Sequence, residues 1–99
     1  MTRSDERQLT LYGWLWCSHC HEAAWLLHQH GVVYEPKLME QGTREGKRHA
    51  GEVYRIAGRI AGPTIVFPDG RWLQEPDENK LLDKLAEHGF VEGEAGVPA

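Results

Sequence analysis

Cys17 and Cys20 are the only thiols in this 99-residue chain, three positions apart in Trp16-Cys17-Ser18-His19-Cys20. Spaced that way on the first turn of a helix, the two side chains are neighbours. Their Cα atoms then fall near the ~5.5–6 Å separation that a disulfide prefers. A bond that closes and opens with little backbone movement is a redox switch before it is a structural staple. The attacking species in such chemistry is the thiolate, which an ordinary cysteine, with a pKa of about 8.5, supplies sparingly at neutral pH. A helix N-terminus, with unpaired N–H groups and a positive dipole end, lowers cysteine pKa values to roughly 3.5–7.5. Cys17 is therefore expected to be the exposed nucleophile and Cys20, one turn further in, the more buried resolving thiol. His19, between them, is expected to tune the thiolate, by charge when protonated and by hydrogen bonding when neutral.

The same residues are metal ligands by type. Cys17, His19, Cys20 and His21 all qualify, yet one helical turn does not converge four of them on one ion. No second Cys-x-x-Cys is present, and His28, His30, His49 and His88 are scattered along the chain. A mononuclear metal site is not expected. Two chains pooling their pairs complete a four-cysteine set for zinc or an iron–sulfur cluster. A dimeric metal or iron–sulfur module using Cys17 and Cys20 is thus the rival reading from a different functional class.

The net charge of −4 argues against a nucleic-acid partner. Lys47, Arg48, Arg55 and Arg59 cluster loosely, but Glu45 and Glu52 interleave with them, as on a solvated helix face. No stretch approaches the ~18–20 apolar residues of a membrane span. Residues 1–8 are polar and read as neither signal peptide nor anchor. A cytoplasmic location without membrane contact follows, and in a reducing compartment a close cysteine pair is more often catalytic or metal-binding than structural.

The elements that must position the pair are short and well punctuated. Leu9, Leu11 and Tyr12 open a strand ending at Gly13, and a helix starts at the cysteine motif, with Cys20, Ala23, Ala24 and Leu27 at helical spacing and Gly31 past its end. Val32-Val33-Tyr34 reads as a second strand, ended by Pro36. A second helix begins near Thr43, with Ala50, Val53, Tyr54 and Ala57 as its apolar face and Gly58 as its end. Thr64-Ile65-Val66-Phe67 and Arg71-Trp72-Leu73 flank the turn Pro68-Asp69-Gly70 and form a hairpin. Pro76 suits the first position of a third helix, with Asp77 and Glu78 at its positive end and Leu81, Leu82, Leu85 and Ala86 as its buried stripe. The order β-α-β-α-β-β-α predicts a four-stranded mixed sheet with helices on both faces, the first two strands parallel and the last two antiparallel. Residues 1–8 are expected to be a flexible N-terminus, 9–89 one domain, and 90–99 a flexible tail.

Trp16-Cys17-Ser18-His19-Cys20 after the first strand, with Pro63 before the third, resembles the thioredoxin superfamily and its glutaredoxin branch. Pro63-Thr64-Ile65-Val66-Phe67, then Asp69-Gly70, Leu73 and Pro76, are most similar to mycoredoxins and related glutaredoxin-like proteins. The resemblance covers roughly residues 9–89 and implies a thioredoxin-like (glutaredoxin-type) α/β fold. It implies that Pro63 follows a cis peptide bond beside the cysteines and that Gly62 docks the disulfide partner through its backbone. Trp16 becomes an apolar rim, with Trp14 and Trp25 as further candidates for that surface. Gly31-Val32-Val33-Tyr34-Glu35 and Leu73-Gln74-Glu75 are also faintly similar to the N-terminal domain of glutathione transferases, which implies Glu75 as a contact for a cosubstrate amine, with Asp77 as the alternative polar contact. The activity implied by the glutaredoxin-type resemblance is thiol–disulfide oxidoreduction on disulfide-containing or S-thiolated proteins by a monomer with no bound cofactor. A low-molecular-weight thiol, mycothiol or glutathione, resets the enzyme. Trp14 stands where glutathione-using glutaredoxins carry a lysine, Ala61-Gly62 replaces their Thr-Val, and Leu73-Gln74-Glu75-Pro76-Asp77 replaces their Gly-Gly-x-Asp signature. A small redoxin fed by a thioredoxin-reductase-like flavoenzyme, serving for example ribonucleotide reductase, is the alternative within the same chemistry.

Overall fold

The computed structural model describes residues 8–91. The expected order of elements is observed: β1 (Leu9–Gly13), α1 (Ser18–Gln29), β2 (Tyr34–Leu38), α2 (Arg44–Ala57), β3 (Thr64–Val66), β4 (Trp72–Gln74) and α3 (Glu78–Glu87). They build one mixed sheet in the order β2-β1-β3-β4. β1 and β2 run parallel, with Leu9 opposite Tyr34 and Gly13 opposite Leu38. β3 is antiparallel to β1, placing Leu11 beside Ile65, and β4 is antiparallel to β3, placing Ile65 beside Leu73.

Alternation along the central strands divides the core between the two faces of the sheet. Leu9, Leu11, Ile65 and Phe67 pack with Leu26 and Leu27 of α1 and Leu81 and Leu85 of α3. Tyr12 points the other way and packs with Met39 and with Val53 of α2, where Trp14, Ala50 and Val66 join them. Gly70, at φ 93°, closes the hairpin as its turn chemistry requires.

Several details differ from the sequence-based expectation. The second strand is not Val32-Val33-Tyr34 but Tyr34–Leu38, and it runs through Pro36. A proline is tolerated there because β2 lies at the edge of the sheet. On α2 the buried stripe is Gly46, His49 and Val53, while Tyr54 is exposed. The His49 ring is held inside by its Nδ1–H donating to the Leu38 carbonyl at 2.6 Å. Pro76 is not in the first turn of α3 but precedes its N-cap, which is Asp77, whose carboxylate accepts the Lys80 N–H at 2.8 Å. Phe90 and Val91, expected in the tail, pack against the α1/α3 core. The remainder of both expected flexible segments, apart from Gln8, lies outside the described residues.

Candidate active site

Helix α1 owes its start to a sulfur. Cys17 is the N-cap residue, with extended backbone, and its Sγ accepts the Cys20 N–H at 3.1 Å. Serine, threonine, aspartate or asparagine usually fill this position, satisfying one of the N–H groups orphaned at a helix start. Here a sulfur takes that role, at the end of the helix where the unpaired N–H groups gather. The same Sγ is 3.9 Å from the Gly62 carbonyl oxygen, in loose sulfur hydrogen-bonding contact. The Gly62–Pro63 peptide bond is cis, as the resemblance implied. Both cysteines are free thiols.

One expectation needs correction. Cys17 is not markedly more exposed than its partner: the two residues are 8% and 6% accessible. The N-cap hydrogen bond turns the Cys17 sulfur back toward its own helix and toward the Gly62 loop. The difference between the two thiols is electrostatic instead. Burial pushes the Cys20 thiol up to about 12, helped by its hydrogen bond with Cys17. Cys20 therefore stays protonated at neutral pH.

The floor under Cys20 is built by absent side chains. A Cβ on Gly13 would lie 2.6 Å from Cys20 Sγ, and one on Gly62 would lie 3.1 Å from it. A Cβ on Gly62 would also meet the Trp14 ring at 2.7 Å. Trp14 fills that space, donates its indole N–H to the Met39 carbonyl at 3.0 Å, and stacks on Trp16 with ring centroids 4.8 Å apart. Trp16, expected as an apolar rim, is 71% exposed next to Cys17 in the chain, and Leu15 before it is exposed as well. The loop carrying these residues is tied down by two contacts that nothing in the sequence pattern announced. The Leu15 N–H donates to the Glu40 carboxylate, and the His21 ring donates to the Leu15 carbonyl at 2.6 Å.

The remaining expected site residues sit on the far side of the Gly62–Pro63 loop. The His19 Nε2–H donates to the Pro76 carbonyl at 2.9 Å, clamping α1 to the segment that starts α3. Glu75 adopts φ 52°, unusual for a residue with a Cβ, and its N–H donates to the Pro63 carbonyl at 2.8 Å. Its carboxylate accepts from Arg59 at 2.8 Å, so an incoming amine would share it with a guanidinium. Gln74 braces the pair, accepting from Arg59 Nε and donating to the Arg59 carbonyl. Trp25, for which core packing was an equal expectation, is exposed. It joins Glu75, Pro76 and Asp77 around a groove of about 440 Å³ between α1 and the start of α3.

No protein-family profile and no curated protein matches the sequence. Solved structures do. The glutaredoxin of Archaeoglobus fulgidus superimposes with a TM-score of 0.69 at 26% identity, over 80% of this chain and 85% of that one. The fold is thioredoxin-like, of the glutaredoxin type. The glutaredoxin of Methanosarcina mazei Go1 superimposes with a TM-score of 0.67 at 20% identity, over 86% of this chain and 81% of that one. A buckwheat glutaredoxin in complex with glutathione gives 0.64 at 18%, over 89% and 84%. In this glutaredoxin-type fold the neighbours and the juxtaposed Cys17 and Cys20 point together to thiol–disulfide oxidoreductase chemistry. Among the described residues no group of three or more histidine, cysteine or acidic side chains is arranged to hold a metal ion, and no helix is long and apolar enough to cross a membrane.

Proposed function

We propose that the protein reduces mixed disulfides on S-thiolated proteins and is reset by a low-molecular-weight thiol, mycothiol or glutathione. The observation that carries this reading is the Cys17 sulfur at the N-cap of α1, accepting the Cys20 N–H and facing the Gly62 carbonyl. A sulfur so placed lies beside the Gly62–Pro63 edge, which offers backbone groups to a partner disulfide.

In the first step the Cys17 thiolate attacks the sulfur of the small thiol in the mixed disulfide. A bond forms between Cys17 and that sulfur, the original S–S bond breaks, and the substrate protein leaves as a thiolate that takes a proton from water. In the second step a free small thiolate attacks the same small-thiol sulfur. Cys17 departs as a thiolate, and the small thiol leaves as its symmetrical disulfide. A protein disulfide takes the other branch: Cys20 loses its proton, attacks Cys17 and releases the substrate, leaving an internal disulfide. The protonated state of Cys20 at neutral pH favours the first branch when small thiol is abundant. Trp16, Gly62, Pro63, Glu75 and Asp77 line the approach of the small thiol in this reading. The chain works as a monomer in a reducing cytoplasm and needs no bound cofactor for the cycle.

The test is a coupled assay with one S-thiolated protein prepared with mycothiol and again with glutathione, each reset by its own thiol. Cys17→Ser is expected to abolish turnover, and Cys20→Ser to retain most of it on both mixed disulfides. Full activity of Cys17→Ser would sink the mechanism. Equal activity of wild type and Cys17→Ser with a flavoenzyme donor alone would remove the chain from this chemistry altogether.

A further inference from the structure

The α1/α3 groove shares Glu75 and Asp77 with the proposed small-thiol approach and extends past them along α1, to Glu22, Trp25 and Leu26. Its floor is apolar, formed by Leu26, Leu81 and Pro76, all buried. Its rim is acidic on both sides: Glu22 comes from α1, Asp77 and Glu78 from the start of α3. Glu75, at one end, is already paired with Arg59. Glu22 and Glu78 have no ion-pair partner among the described residues, and the one basic group in the lining, the His19 ring, is committed to the Pro76 carbonyl. The positive end of α3 accounts for Asp77 and Glu78 in part; Glu22, past the first turn of α1, has no such reason. Trp25, 60% exposed, lines the same groove, with the His28 ring tilted beside its own at 5.8 Å.

An aliphatic floor, a carboxylate rim from two elements and an open indole face complement the anatomy of a lysine or arginine side chain, whose stem is apolar and whose head is a cation. The groove is linked to the loop beside the reacting sulfur: Glu75 in its lining donates its N–H to the Pro63 carbonyl, Cys17 contacts Gly62 on the same loop, and His19, two residues after Cys17, also lines it. We propose that this groove receives a lysine or arginine side chain lying within a few residues of the target cysteine, and so selects protein substrates whose disulfides have basic flanks. The proposal rests on the thiol–disulfide reading and supplies its substrate class.

The experiment uses the full chain and three peptides identical except for Lys, Gln or Glu close to one cysteine. That cysteine is held in mixed disulfide with 2-mercaptoethanol, which carries no charge. The KM of the Lys peptide is expected about threefold to tenfold below that of the Gln peptide, with the Glu peptide above both, as two partly exposed ion pairs and a cation–π contact would give. In Glu22→Gln/Glu78→Gln the ratio of Lys to Gln peptide is expected to collapse toward one. Equal KM values in the wild type, or a preference that survives the double substitution, would overturn the groove while leaving the exchange reading intact. Should no peptide be reduced, the exchange reading fails. The groove is then read directly by NMR, as a saturable shift of the Trp25 indole N–H on titration with the Lys peptide carrying Ser for Cys. No shift there overturns the groove as well.

Discussion

At neutral pH the two thiols of the reduced protein are unequal nucleophiles even though both are buried. Burial first, and the hydrogen bond with Cys17 second, push Cys20 up to about 12. Iodoacetamide at about pH 7.5 is therefore expected to modify Cys17 well before Cys20, since only the thiolate reacts. Peptide mapping checks this, and comparable alkylation of Cys20 would refute it. The sign carries over to stability. A thiol with a raised pKa contributes fully below the ordinary thiol value of about 8.5 and loses that contribution as pH climbs toward the folded value. A second residue-scale consequence joins two departures from the family pattern that looked separate. Trp14 occupies the space a Cβ on residue 62 would need, so Gly62 and Trp14 are one choice. Gly62→Val alone is expected to cost about 1–3 kcal/mol by overpacking. Added to Trp14→Lys it is expected to cost clearly less, and denaturant unfolding of the four forms of the cycle measures the difference. The cysteines and Pro63 were legible because a motif carries them. Gly13 and Glu40 were not, because a strand end touching a helix side chain, or a carboxylate reaching across 25 positions to a backbone N–H, leaves no spacing to read.

The elements were legible where end chemistry is local and illegible where tertiary position overrides it. Thr43 and Gly58 bound α2 as expected, with Thr43 Oγ1 accepting the Gly46 N–H and Gly58 in the left-handed region. Pro36 misled because its effect depends on where in the sheet the strand lies, which no local pattern states. Tyr54 misled because the stripe of α2 turns to place His49 inward, and a histidine is not counted as apolar until its ring nitrogen has found the Leu38 carbonyl. α2 is tied to the sheet by polar contacts as well. The Tyr12 hydroxyl donates to Glu52 at 2.8 Å, and Lys37 lies 3.3 Å from the same oxygen. Burial opposes ionisation of Glu52, but the Tyr12 and Lys37 contacts outweigh it and hold the carboxylate below its usual range. Its contribution to stability is thus present above the unfolded value of about 4.3 and is lost as pH falls through the depressed folded value. Tyr12→Phe is expected to destabilise the protein by about 1–2 kcal/mol near neutrality. The gap to wild type narrows on acidification, as urea midpoints measured down the pH scale would report. A gap that stays constant would show that Glu52 is not the titrating partner.

On the scale of the whole molecule, the sheet separates two unlike surfaces. The α1/α3 side carries the acidic groove, and α2 carries Arg44, Lys47, Arg48 and Arg55, with Arg59 just beyond its end. The Arg59–Glu75 pair joins the two sides beside the Gly62–Pro63 loop. The sheet also has two open margins. β4 is three residues long, too short to template another strand, but β2 is five residues and outermost. Pro36 in its middle offers no N–H, so a passing strand finds the row of donors broken. That gap guards the β2 margin against edge-to-edge addition of another strand. Pro36→Val should leave exchange chemistry intact and make the protein self-associate as its concentration is raised. Light scattering of the reduced form follows that, and a mass unchanged from wild type would show that the margin is guarded by something other than proline.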